Sequence, residues 1–106
     1  MPAYAICTMV ISDPEMYRQY TDRTPPTVKR HGGRFLTRGD AVFTAEGAPM
    51  QERQVILEFP SLDAAKAWFN DPEYQAARQF RLQACSSYRM LIQEGRVNTA
   101  DPDPQV

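Results

Sequence analysis

Residues 3 to 11, AYAICTMVI, form a run of strand formers that is apolar at alternate positions Tyr4, Ile6 and Val10 and also at Ala5, Cys7, Met9 and Ile11. A strand in a sheet covered on one side should alternate apolar with polar residues. This one asks for cover on both faces. It stops at Ser12-Asp13-Pro14-Glu15, a helix N-cap followed by proline at the first helical position. A strand that needs two covers therefore leads straight into a helix that can supply one of them.

The same cap-and-proline grammar returns at Asn70-Asp71-Pro72-Glu73, and between the two lie further elements with readable periods. After Pro14, Met16, Tyr20 and Thr24 recur every four residues with Tyr17 beside them, while Arg18, Gln19, Asp22 and Arg23 fall on the other side. Pro25-Pro26 is expected to interrupt or kink this helix, with a short second turn through Val28 to Arg30. Gly32-Gly33 suits a helix C-terminus at positive φ, and RFLT then begins a strand. Arg38-Gly39-Asp40 reads as a bulge or turn, and AVFTAEG as a continuation or an extra edge strand. RQVILEF, residues 53 to 59, is a strand ended by Pro60-Ser61, and Ser61 caps a helix with Leu62, Ala65, Trp68 and Phe69 on one face. The helix after Pro72 carries Tyr74, Ala77, Arg81 and Ala84 on one stripe, and SYRMLIQEG closes the fold as a strand.

The order strand, helix, strand, strand, helix, strand, with the second helix split, predicts an α+β ferredoxin-like βαββαβ fold with an antiparallel sheet and its helices on one face. Met90 and Ile92 of the last strand face one way and Leu91 the other, so that strand too is two-sided. A second copy packed sheet to sheet through a two-fold axis is the simplest cover, and a homodimer is expected. The 106 residues predict one domain over residues 1 to 95, with the polar, proline-bearing residues 96 to 106 as a disordered tail.

Composition narrows the partners. Hydrophobic residues make up 42% and charged residues 24% of the chain, an ordinary globular balance. A net charge of −1 with interspersed signs gives no footprint for nucleic acid. No apolar run approaches the roughly 20 residues of a membrane helix, and the N-terminus has no basic n-region, so the expected location is cytoplasmic. Cys7 and Cys85 lack metal or disulfide spacing and are expected to be buried thiols. HExxH, CxxC, a phosphate-binding glycine loop and a nucleophile elbow are all missing, so neither metal nor cofactor is expected. HGGR precedes a strand, unlike a phosphate loop.

The ordered succession His31-Gly32-Gly33-Arg34-Phe35-Leu36, Arg38-Gly39, Glu46-Gly47, Arg53, EFPS at 58 to 61, AWF at 67 to 69, DPEYQ at 71 to 75, Arg81 and Glu94-Gly95 resembles the family called domain of unknown function 1330. The resemblance runs from residue 3 to residue 95. It implies the dimeric α+β barrel, whose relatives include small monooxygenases, muconolactone isomerases and haem-degrading enzymes, and it supplies no established reaction. Asp40, Ala45 and Phe69 depart from the family pattern, which has glycine, leucine and tyrosine at those places. Asp40 adds a carboxylate beside Arg38, and Phe69 deletes a hydroxyl.

Several residues are candidates for chemistry, each with a structural reading beside it. His31 is the one side chain titrating near neutrality without perturbation; it is a candidate proton carrier or simply a cation at a helix C-terminus. Arg38 and Arg53, on neighbouring strands, suit bidentate recognition of a carboxylate, or cross-strand pairing with Glu46, Glu52 or Glu58. Arg81, on a core stripe, is either a ligand clamp or half of a buried ion pair with a carboxylate such as Glu58. Tyr20, Trp68 and Tyr74 are core aromatics or pocket walls. Two functions follow. One is a small-molecule-binding protein or cofactor-independent enzyme of isomerase or monooxygenase type, acting on a small acidic or aromatic compound held between sheet and helices. The other is a dimeric binding or interaction module without turnover.

Overall fold

A computed structural model describes residues 1 to 96. The elements are β1 (Ala3–Ile11), α1 (Pro14–Arg30), β2 (Arg34–Arg38), β3 (Arg53–Phe59), α2 (Leu62–Phe69), α3 (Pro72–Ala84) and β4 (Cys85–Glu94). The four strands form one antiparallel sheet in the order β2-β3-β1-β4, and the architecture is the ferredoxin-like α+β fold. The tail reading, apart from Arg96, falls outside the described residues.

Each helix starts as its cap residue dictates. Asp13 Oδ1 accepts from the Met16 N–H at 3.1 Å, Ser61 Oγ from Ala64 N–H at 3.0 Å, and Asp71 Oδ1 from Glu73 N–H at 2.8 Å. The turn between β1 and α1 also ties off the end of α3. The backbone N–H groups of Ser12 and Asp13 and the Ser12 hydroxyl all donate to the Ala84 carbonyl, at 2.8 to 3.0 Å.

The helices cover one face of the sheet, where Ala3, Ala5, Cys7, Met9, Val55, Leu57 and Phe59 are buried against Tyr17, Tyr20, Val28, Ala65, Trp68, Tyr74 and Ala77. The opposite face keeps an apolar row across three strands. Ile56 and Leu91 pair with Ile6 from either side; Ile6 and Ile56 are half-buried and Leu91 is exposed. Both faces of β1 are thus apolar, and only one is covered by the described residues.

Three local expectations are corrected. α1 continues through Pro25 and Pro26 with no break. The carbonyls that lose their donors are those of Thr21 and Asp22, which are half-exposed and exposed, so water can serve them. Thr24 and Thr27 hydroxyls add bonds to the Tyr20 and Thr24 carbonyls, at 2.7 and 2.6 Å. Residues 41 to 47 form no strand but part of a long loop between β2 and β3. The helix-ending glycine at positive φ is Gly32, at +74°. Gly33 is needed for space instead, because a Cβ there would come within 2.5 Å of the Phe59 ring and 2.9 Å of Val28 Cγ1.

Candidate functional site

α1 leaves the sheet surface beside β2 and β3, and a slot of about 420 Å3, including its open mouth, lies between them. Its floor is Cys7, Met9, Val55, Leu57 and Phe35; its roof is Tyr17, Tyr20, Thr21, Thr24 and Pro25; Arg38 and Arg53 stand at the sheet edge. The depth is narrow, with room for about two water molecules.

The register of β2 aims Arg38 into this slot. Phe35 pairs with Leu57 and Arg38 with Val55, both on the helix side, which requires one extra residue between them. Leu36 is that residue, a β-bulge, and the Thr37 hydroxyl accepts the Ile56 N–H at 3.0 Å. Without the bulge, Thr37 would share the face of Phe35 and Arg38 would face away. The Arg38 guanidinium lies over the Phe35 ring, 4.3 Å from its centroid. Asp40 accepts the Arg38 backbone N–H at 2.9 Å, so its carboxylate shapes the turn.

Arg53 is placed by a glycine. Gly39 has φ of +83°, and a Cβ there would collide with the Arg53 guanidinium. That guanidinium donates from Nη2 to the Arg38 carbonyl at 2.8 Å and sits 5.6 Å from the Tyr17 ring centroid, while its buried Nε has no partner. Arg38 and Arg53 make no ion pair with any carboxylate among the described residues. Neither of the expected pairings with Glu46, Glu52 or Glu58 forms, and Glu58 binds Arg34 at 2.9 Å.

The remaining sequence candidates lie elsewhere. His31 caps the end of α1, and its Nε2 meets Asp71 Oδ2 at 2.7 Å, where Arg30 also binds at 2.7 Å. His31, Arg30 and the Glu73 N–H together hold the Asp71 carboxyl far below the usual range. His31 is therefore part of a clip between α1 and α3 and does not line the slot. Trp68 is fully buried and donates from Nε1 to Thr27 Oγ1 at 3.1 Å; it belongs to the core. Tyr74 is also fully buried, with its hydroxyl 3.0 Å from that of Tyr20; of His31, Tyr20, Trp68 and Tyr74, Tyr20 alone lines the slot.

Arg81 is 2% exposed and has no ion pair with Glu58 or any other carboxylate among the described residues. Its guanidinium sits between the Tyr20 and Tyr88 rings, 5.5 and 5.4 Å from their centroids, behind the wall of the slot. Sequence reasoning missed Tyr17, whose helical position beside Tyr20 gave it away as a wall residue, and Phe35, whose direction depends on the bulge.

The protonation states follow from burial. Burial raises the Tyr17 phenol, with Arg53 opposing, and raises Tyr20 well above its ordinary value. Burial pushes the Cys7 thiol up to about 11, against the pull of Arg81. The slot thus offers cations and proton donors, and among the described residues no carboxylate or imidazole lines it. Among the described residues, no group of three or more His, Cys, Asp or Glu side chains is placed to hold a metal, and no helix is long and apolar enough to cross a membrane.

Solved structures share this fold at low sequence identity. A protein of unknown function from Rhodopseudomonas palustris is 22% identical over 92% of this chain and 84% of that one, with a TM-score of 0.71. A dimeric ferredoxin-like protein of unknown function from Thermobifida fusca is 14% identical over 89% of this chain and 91% of that one, with a TM-score of 0.60. A candidate antibiotic biosynthesis monooxygenase from Caulobacter crescentus is 13% identical over 91% of each chain, also with a TM-score of 0.60. No curated protein matches the sequence significantly. The model of the domain of unknown function DUF1330 matches residues 2–96, and the chain belongs to that family.

Proposed function

We propose that this protein is a homodimer that binds a small carboxylate whose apolar or aromatic body lies in the open mouth of the slot between α1 and the sheet, since the narrow depth has room for no more than a polar substituent. The observation that carries the reading is the pair Arg38 and Arg53 beside an apolar floor, with no carboxylate of the chain paired to either among the described residues. An arginine without a carboxylate partner next to apolar surface suits an anion whose body is apolar. Binding is favoured over proton-transfer catalysis because the slot contains no group that is a base near neutral pH: the phenols and the thiol are raised, and His31 is engaged with Asp71.

The dimer rests on the row Ile56, Ile6 and Leu91 with exposed Val10 on the same face, and on the dimeric ferredoxin-like neighbour from Thermobifida fusca. Titration calorimetry with benzoate and with its neutral analogue benzamide tests the site. Benzoate is expected to bind, benzamide to bind at least tenfold more weakly, and Arg53→Met to remove the difference; equal binding of both overturns the reading. Light scattering is expected to give twice the 12.1 kDa chain mass. Leu91→Asp should reduce it to the monomer, and a wild-type monomer at micromolar concentration overturns the dimer.

A further inference from the structure

Behind the slot, the core residues Tyr20 and Tyr74 meet Arg81 in a polar group whose hydroxyls and charge the carboxylate site leaves unassigned. The Tyr20 and Tyr74 hydroxyls are 3.0 Å apart and buried, so one hydrogen bond joins them. Two phenols carry two protons, and one bond uses one of them. Tyr74 is fully buried, Arg81 can donate to its hydroxyl, and among the described residues its own proton has no acceptor besides Tyr20, whereas Tyr20 lines the slot. The economical arrangement has Tyr74 donating to Tyr20, leaving the Tyr20 proton for an acceptor in the slot.

Arg81 stands against this pair. Its guanidinium is 5.5 Å from the Tyr20 ring centroid, its Nε is buried without a partner, and no carboxylate balances its charge among the described residues. A buried cation without a counter-ion is costly, and apolar replacements of buried ions are often neutral or stabilising. The scaffold supplies ring faces and the Tyr74 hydroxyl to hold this charge, and among the described residues no anion to balance it. The titratable groups are Tyr17 and Tyr20 on α1 and Cys7 on β1 in the slot wall, with Tyr74 and Arg81 on α3 and Tyr88 on β4 behind it: phenols, a thiol and one cation, with no carboxylate among the described residues. A donor polarised by a buried cation in a site of low dielectric favours a negative oxygen at the point where it is aimed.

We propose that the deep end of the slot is an oxyanion pocket, in which the Tyr20 hydroxyl, organised by Tyr74 and backed by Arg81, holds a second, acidic oxygen of the bound carboxylate, a phenol or enol, in its ionised form. This rests on the carboxylate reading of the slot and narrows the ligand class to small carboxylates with an ionisable hydroxyl. On binding, the hydroxyl proton passes to solvent, and no other bond changes. Arg81 acts through Tyr20 and is a positioning residue.

The probe is 4-hydroxy-3-nitrobenzoate, whose phenol absorbs differently when ionised, compared with 3-nitrobenzoate, which lacks the hydroxyl. Bound to the wild-type protein, the probe is expected to ionise at a pH at least one unit lower than when free, and to bind at least tenfold more tightly than 3-nitrobenzoate near neutral pH. Arg81→Met should melt at or above the wild-type temperature while losing both the shift and the preference. Tyr20→Phe should reduce both and serves as the second variant if Arg81→Met does not fold. An unshifted bound probe, or a shift retained in both variants, overturns the oxyanion pocket. If 3-nitrobenzoate binds and the hydroxyl adds nothing, the deep-end proposal fails and the carboxylate site stands; if neither compound binds, both fail.

Discussion

Two sets of arginines in this molecule have opposite surroundings. At the junction of α1 and α3, Arg30 and His31 share the Asp71 carboxylate, and at the sheet edge Arg34 takes Glu58. Around the slot, Arg38, Arg53 and Arg81 lie against aromatic rings and take no carboxylate among the described residues. A cation that joins elements needs a partner in the chain, because its purpose is the joint. One that meets a ligand anion must leave its fork free, and ring faces hold its stem and charge without consuming the fork. Ring contact without a carboxylate does not by itself mark a site, since Arg23 and Arg78 lie over Phe80 and Phe69 away from the slot with no ion pair among the described residues; what sets Arg38 and Arg53 apart is that they also line the slot.

The scaffold half should show the largest stability effects. Asp71→Ala removes a helix cap and the acceptor of His31 and Arg30 together, and it should lower the urea midpoint more than any single substitution at Arg38, Arg53 or Arg81. Asp71→Asn keeps a capping side chain and should lose less. The charge component has a definite pH signature. The Asp71 carboxyl is held below its ordinary value of 3.8, so its contribution is present above that value and is lost as pH falls below it. The gap in urea midpoint between the wild type and Asp71→Asn should therefore narrow from pH 7 to pH 3, and a constant gap would leave only the cap. Next in size is Gly33→Ala, whose new Cβ meets the Phe59 ring and Val28, both in the core; a cost of about 1–3 kcal/mol is expected by chemical denaturation.

Much of the scaffold was legible because its determinants are local. Asp13-Pro14 and Asp71-Pro72 start helices where the cap grammar says they must, and Tyr74, Ala77, Arg81 and Ala84 are all buried along one stripe of α3, four residues whose spacing alone shows it. The site was less legible, because its determinants are pairings. A bulge at Leu36 decides that Arg38 and not Thr37 faces the helices, and that depends on the register with β3. Tyr20, Trp68 and Tyr74 look alike in sequence, each an aromatic on a core-facing stripe, yet only Tyr20 lines the slot. His31 was attractive for its intrinsic pKa, but its neighbour in space is Asp71, forty residues away in the chain. Pro25-Pro26 misled for a different reason: a proline pair breaks a helix only where the freed carbonyls have no other recourse, and here they lie toward solvent.

An intermediate effect is expected at Gly39, which belongs to both halves. Alanine there must adopt φ near +83° and push the Arg53 guanidinium aside. A stability cost of about 1 kcal/mol is expected, and benzoate affinity should fall further than that cost explains, because the arginine is displaced from the slot mouth. If affinity is retained, Arg53 holds the β2–β3 turn and does not bind the ligand.

The smallest stability effect, and the most decisive for the contrast, belongs to Arg38 and is best read beside His31. Arg38→Met keeps much of the aliphatic stem that lies over Phe35 and strands no carboxylate, so its stability should stay within about 0.5 kcal/mol of wild type. Its benzoate affinity should fall at least tenfold. His31→Gln should do the reverse: it loses the imidazole contact with Asp71 and melts lower, while benzoate binding stays unchanged because the ring does not line the slot. Two denaturant titrations and two calorimetric titrations complete the square. If Arg38→Met unfolds more easily than His31→Gln, or His31→Gln loses the ligand, the division of the cations into paired scaffold and unpaired site is wrong at its clearest point.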